Sequence, residues 1–328
     1  MSLQVFIGGM RGSRPALGSG FDEFGGDTTS LLLLGSRGER LVLDAGTGLR
    51  TVAEACSVPV RSVPVRAYLH HQEKITPDGP GSSPGQAPPA KAGVTTNEAT
   101  ILFSHYHLDH LLGLTMNPLF YRREWSFKFL GPTFADGGVR DAVTRLLAQP
   151  YWPVSWKQMS ARFEFAEFPE DGIEVGGLQV RACRVPHPGG CFAYRIDDMG
   201  PPNARHRVGD PSACRASVVF ATDLEWRQRT PADEAAFMAL CRQPKPASLL
   251  LIDAHFAEKD QEAFAGWGHS SREDDLAIAA AAGIPQVLLG HHDPEANDET
   301  LRAAEQRVKQ LAPGAALARA GQWWTIGE

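Results

Sequence analysis

The chain has 328 residues, 43% hydrophobic and 21% charged, which is enough apolar material for a sizeable core and ordinary for a globular protein. A formal net charge of −6 argues against an extended nucleic-acid platform, but not against a phosphate-bearing substrate, because bound metals would set the local field. No stretch approaches the roughly 18–20 apolar residues of a membrane span, and no N-terminal segment has the pattern of a cleaved leader. Five scattered cysteines without a C-x-x-C pair (Cys56, Cys183, Cys191, Cys214, Cys241) read as reduced thiols, so the expected compartment is the cytoplasm.

In chain order, Ser30–Leu34 and Leu41–Leu43 flank the short turn Gly35–Glu39 and read as a β-hairpin. The segment 73–96 is rich in Pro, Gly, Ser and Ala and reads as a mobile insertion. Its Lys74 and Lys91 are offset by Glu73 and Asp78, a poor clamp for a polyanion. Ala99–Ser104 reads as a strand that runs straight into a histidine cluster. Asp197–Arg215, with Arg205, His206, Arg207 and Arg215, reads as a long hairpin loop. Strands at Val218–Ala221, Ser248–Ile252 and Pro285–Leu289 precede Asp223, Asp253 and His291. Helices are expected over Pro231–Arg242, Ser270–Ala282 and Thr300–Leu311, the second with Ser270 as N-cap and Glu273 three residues on. The recurring unit is a strand whose C-terminal end delivers a polar side chain, and a sheet edge that gathers such ends is where sites are built. Strands first, then strands alternating with helices, suggest sheets covered by helices in one domain over residues 1–328.

The central motif is Ser104-His105-Tyr106-His107-Leu108-Asp109-His110. Imidazole and carboxylate are the donors of zinc, iron and manganese sites. Alternation along an extended segment puts His105 and His107 on one side. A turn would then bring Asp109 and His110 round to a second ion.

Here the sequence resembles the metallo-β-lactamase superfamily. Leu41–Gly48 resembles its first motif, with Asp44 as brace of the metal-binding loop; Val185-Pro186-His187-Pro188-Gly189 resembles the third; Phe220-Ala221-Thr222-Asp223 the fourth; and Leu288-Leu289-Gly290-His291 the last. The resemblance implies an α/β fold, the four-layer αββα sandwich, and two divalent ions, zinc with manganese or iron as alternatives. It assigns His105, His107 and His187 to the first ion, Asp109, His110 and His291 to the second, and Asp223 to both. His292 competes with His291 because the two are adjacent. Gly9–Pro15 with Gly25–Ser30, Gly266-Trp267-Gly268-His269-Ser270, and Gly290-His291-His292-Asp293-Pro294 resemble the tRNase Z and cyclic-phosphodiesterase branch. That likeness implies hydrolysis of a small phosphodiester, with Asp109 and His269 as catalytic residues and His269 as proton donor; Glu225 could orient it, but an ordinary structural role is the favoured reading for that residue. His255 is expected to support the pocket, His70-His71 to be surface, and Asn117–Tyr121 and Tyr151–Val154 to be packing or pocket wall. A homodimer follows from the resemblance only. Competing readings are a thioester, lactone or sulfate-ester hydrolase of the same fold, a diiron redox protein, and a scaffold without activity.

Overall fold

The computed structural model describes residues 2–57, 97–200 and 214–327. The insertion expected at 73–96, most of the loop expected at 197–215 and His70-His71 lie outside the described residues.

Strand β1 (Leu3–Gly9) is followed by the hairpin β2 (Ser30–Leu34) and β3 (Arg40–Leu43), then by β4 (Asn97–Leu102), β5 (Trp125–Gly131) and β6 (Arg162–Glu167). A meander, β7 (Ile173–Val175), β8 (Leu178–Val185) and β9 (Cys191–Asp198), leads into β10 (Ala216–Ala221), β11 (Leu249–Asp253), β12 (Val287–Gly290), β13 (Ala315–Leu317) and β14 (Trp323–Ile326). Among the described residues these form two seven-stranded sheets, in the orders β14-β1-β2-β3-β4-β5-β6 and β13-β12-β11-β10-β9-β8-β7. Both are mixed. Strands β3 to β6 run parallel in the first and β10 to β13 in the second, while the remaining pairs are antiparallel.

The run Leu31-Leu32-Leu33-Leu34 shows why the strands carry apolar residues without interruption. Side chains alternate across a strand, so Leu31 and Leu33 enter the core between the sheets, whereas Leu32 and Leu34 enter the layer under the helices. The partner sheet repeats the device: Val218, Phe220, Leu249 and Leu251 face inward, and Val219, Ala221, Leu250 and Ile252 face the other helical layer. Helices α1 (Leu49–Ser57) and α2 (Val139–Leu146) cover the first sheet; α3 (Pro231–Arg242), α4 (Arg272–Ala282) and α5 (Asp298–Leu311) cover the second. The result is the expected four-layer αββα sandwich.

Two helix starts differ from the expectation. Helix α4 is capped by Ser271, which accepts from Asp274 N at 3.1 Å. The hydroxyl of Ser270 is engaged elsewhere, donating to Leu224 O at 2.6 Å and accepting from Trp226 N at 2.9 Å. Helix α5 begins at Asp298, because Asn297 caps it by accepting from Thr300 N at 2.9 Å. Asn117 caps a short turn at Pro118–Tyr121, and Phe120, Trp152 and Val154 join the packing under the first sheet. All five cysteines are free, and among the described residues no helix is long and apolar enough to cross a membrane.

Candidate metal centre

The parallel strands in both sheets point their C-terminal ends to one edge of the sandwich. There, β3 delivers Asp44, β4 delivers Ser104 to His110, β10 delivers Asp223, β11 delivers Asp253 and His255, and β12 delivers His291; His187 follows the antiparallel β8. The described residues contain four non-glycine positions with positive φ: Ser13 (59°), Asp44 (56°), Asp223 (58°) and His291 (52°). All four reach the same cluster of side chains. Left-handed backbone of this kind costs energy outside glycine and collects at sites where a side chain must be re-aimed as a strand ends.

The segment after β4 is held from behind by Asp44. Its Oδ1 accepts from Ser104 N at 2.7 Å, and its Oδ2 accepts from Ser104 Oγ and lies against His110 Nδ1, both at 2.8 Å. A one-turn 3-10 helix at Leu108–His110, closed by His110 N on His107 O at 3.0 Å, turns the chain so that two groups of donors form. His105, His107 and His187 make the first group and Asp109, His110, Asp223 and His291 the second, each with donor atoms within 4.8 Å of one another. Asp223 faces both: Oδ1 is 3.8 Å from His105 Nε2, 3.9 Å from His187 Nε2 and 3.2 Å from His291 Nε2, and Oδ2 is 3.2 Å from His110 Nε2. Asp109 Oδ2 lies 3.2 Å from His110 Nε2 and 3.3 Å from His291 Nε2, and it accepts from the backbone N of Ser13 at 2.8 Å.

The donor set suits divalent cations. The Nε2 atoms of His105 and His110 and Oδ2 of Asp223 are sealed from solvent without a hydrogen-bond partner, and each belongs to one of these groups. Orphaned buried polar atoms of this kind are costly unless something else completes them. Burial, above all, lowers the basicity of His105, His107 and His187, which keeps their rings neutral and able to ligate. For Asp223, burial is outweighed by His291, His110 and His105, which hold the carboxyl well below its usual range as an anion.

The tandem histidines separate. His291 joins the second group, whereas His292 is buried with its Nε2 donating to Ala318 O at 2.8 Å. Burial depresses His292 to about 3, so it stays neutral.

His269 stands beside the cluster, its ring 4.8 Å from that of His291 and 5.6 Å from that of His187. The carboxylate against it is Asp253, with Oδ2 2.8 Å from His269 Nδ1; Glu225, for which an ordinary structural role is the favoured reading, is bonded elsewhere. Burial opposes protonation of His269, but the Asp253 charge and hydrogen bond outweigh it and hold the imidazolium up to about 9. Glu225 instead accepts from Gly266 N at 2.7 Å and Gly268 N at 2.9 Å, clamping the loop that carries His269. Gly268 O in turn lies 2.9 Å from His187 Nδ1. Asp253 is a carboxylate of this cluster that sequence reasoning passed over, although its place at the end of a strand matched that of the other site residues. His255 also reaches the site, its ring stacked 4.4 Å from His269. Burial depresses it to about 4.

The family model described as Beta-lactamase superfamily domain matches residues 78–292. The chain is similar to a ribonuclease Z of Thermoplasma volcanium, 21% identical over 224 residues that span 60% of this chain and 71% of the relative. Among solved structures it is similar to a diphosphatase from the PhnP family (TM-score 0.60, 15% identity, 100% of this chain and 99% of that one). Human tRNase Z, short form, is similar too (TM-score 0.58, 15% identity, 99% of this chain and 100% of that one). At such identity the two structures speak for the fold, while the family match spans well over half of the sequence. The chain belongs to the metallo-β-lactamase superfamily of hydrolases.

Proposed function

We propose that this hydrolase cleaves a small phosphodiester at a binuclear centre, with His105, His107 and His187 holding one divalent ion, Asp109, His110 and His291 the other, and Asp223 shared. The observation that carries the reading is one carboxylate, Asp223, facing both donor groups with the buried His269–Asp253 pair beside them. Bound ions supply Lewis acidity toward a phosphoryl oxygen and lower the pKa of water, and this His/Asp donor set suits zinc, manganese or iron. The chain's own residues do the rest. Asp253 accepts the Nδ1 proton of His269 and so leaves Nε2–H as the ring's free donor. From there His269 gives a proton to the alkoxide that leaves phosphorus. Asp109, held by the Ser13 amide, keeps one oxygen turned to the second group and helps orient the attacking water.

The ribonuclease Z and diphosphatase relatives support chemistry at phosphorus. A net charge of −6 favours a small diester over folded RNA. Hydrolysis of bis(p-nitrophenyl) phosphate by metal-replete protein tests the reading. Turnover is expected to disappear on chelation, to return with added metal, and to be absent in His107→Ala. No turnover by metal-loaded protein would sink it.

Gly268 gives a further check on His187. It has φ +93°, and a Cβ there would stand 2.3 Å from His187 Nδ1. Gly268→Ala is therefore expected to push His187 out of the first group and weaken metal binding by about 10- to 100-fold, the scale of disrupted ligand support. Competition with a chromophoric chelator reads this directly; unchanged affinity would remove His187 from the ligand set.

A further inference from the structure

His255, His269 and His291 form a further group of nitrogen donors that no step above uses together. Each offers one ring nitrogen, the three nitrogens lie within 4.8 Å of one another, and all three side chains are buried. His255 and His269 belong to neither of the two groups assigned above. The rings pack closely: His255 stacks on His269 at 4.4 Å and 15°, and His291 stands 4.8 Å from His269 and 5.6 Å from His255.

The surroundings suit an ion. Asp253 Oδ2 lies 2.8 Å from His269 Nδ1 and 3.9 Å from His291 Nδ1, so a carboxylate borders the group. His291 Nε2 is taken up by the second group, 3.2 Å from Asp223 and 3.3 Å from Asp109. Its Nδ1, among the described residues, is sealed from solvent without a hydrogen-bond partner, a costly state for a buried nitrogen unless something completes it. His255 Nδ1 lies 3.0 Å from the carbonyl of His291, which can only accept, so that ring keeps one lone pair to give. Three imidazoles beside one carboxylate make a nitrogen-rich set that favours zinc over manganese or magnesium.

His269 cannot hold its donatable proton and a metal ion at once. An imidazolium has no lone pair, and an ion on either ring nitrogen displaces a proton to solvent. We propose that His255, His269 and His291, bordered by Asp253, form a third zinc site whose occupation takes the proton donor out of service, so that zinc beyond two equivalents inhibits the enzyme. This site is weaker than the two-ion centre, because the ion must displace a proton that Asp253 holds and must share His291 with a neighbouring cation. The inhibition rests on the phosphodiesterase reading; the site rests on the donor geometry alone.

The test takes wild type, His255→Phe and His255→Gln, each loaded with two zinc equivalents, and dialyses them against rising free zinc. Bound zinc is counted by elemental analysis, and bis(p-nitrophenyl) phosphate hydrolysis is followed at each step. The wild type is expected to bind one zinc more than His255→Phe at saturation. As that ion binds, its turnover should fall by about 100-fold from its own rate at two equivalents, the scale of a lost general acid. His255→Phe, which keeps an aromatic ring in the stack and lacks the donor, should hold its own rate over the same range. Zinc bound adventitiously elsewhere is common to the proteins and cancels in the difference. Equal zinc counts in wild type and variant would overturn the proposal, as would the same inhibition in both. Should the Phe variant fail to fold, His255→Gln, which has no imidazole nitrogen, gives the same comparison. No turnover at two equivalents would overturn the phosphodiesterase reading and the inhibitory role with it, while the zinc count still decides the site.

Discussion

Asp223→Asn is expected to lose turnover by about 10³-fold or more and to lower bound metal from two ions to one or fewer, because one carboxylate serves both donor groups. The shared position is explicit: Oδ1 lies 3.2 Å from His291 Nε2 and 3.8 Å from His105 Nε2, and Oδ2 lies 3.2 Å from His110 Nε2. Asparagine is the informative replacement. It keeps the volume and tolerates the left-handed backbone (φ 58°), so the loss reports the missing charge and oxygen. Alanine would add backbone strain and blur the cause. Elemental analysis of the purified variant, with circular dichroism to show that it folds, reads the outcome. Two ions and near-normal turnover in Asp223→Asn would contradict a bridging role.

Asp253→Asn is expected to lower turnover by about 10²–10⁴-fold, the range for general acid–base catalysis and for amidation of a carboxylate that orients a catalytic imidazole. The pH profile should change in shape as well as height. In the native protein the Asp253 carboxylate holds His269 protonated up to about 9, and bound dications pull that value down. Activity that needs the His269 proton is therefore full below this pKa and falls as pH rises through it, with the alkaline limb at or below about pH 9. Asparagine cannot stabilise the imidazolium, so the variant's limb should move to lower pH. An alkaline limb that stays in place, measured as kcat against pH, would mean that His269 is not the acid.

Much of this arrangement was legible because it is local. Four donors between His105 and His110 need only a strand, a turn and alternation to come together, and the 3-10 turn at Leu108–His110 supplies the turn. The leucine run of β2 likewise announces a strand buried on both faces. What was left open or misread depends on packing between segments distant in sequence. Glu225 and Asp253 were both available to His269. Glu225 was taken by the amides of Gly266 and Gly268, while parallel pairing of β10 with β11 brought Asp253 to within 2.8 Å of the ring's Nδ1. Ser270 and Ser271 are equal N-caps on paper, and only the fold shows Ser270 bonded to Leu224 and Trp226. The choice between His291 and His292 depends on a φ of 52° at His291, which turns consecutive rings apart. A tandem pair carries no such signal in sequence. His255 was visible as a histidine after a strand, but its tautomer is set by a carbonyl 36 positions away in the chain.

The central claim, a two-ion centre that hydrolyses phosphodiesters, is tested most directly by titrating metal-free protein with zinc or manganese while following bis(p-nitrophenyl) phosphate hydrolysis. Turnover should rise with added metal and reach its plateau at two equivalents per chain, with His107→Ala and His291→Ala failing to reach it. A plateau at one equivalent, or turnover indifferent to metal, would contradict the account.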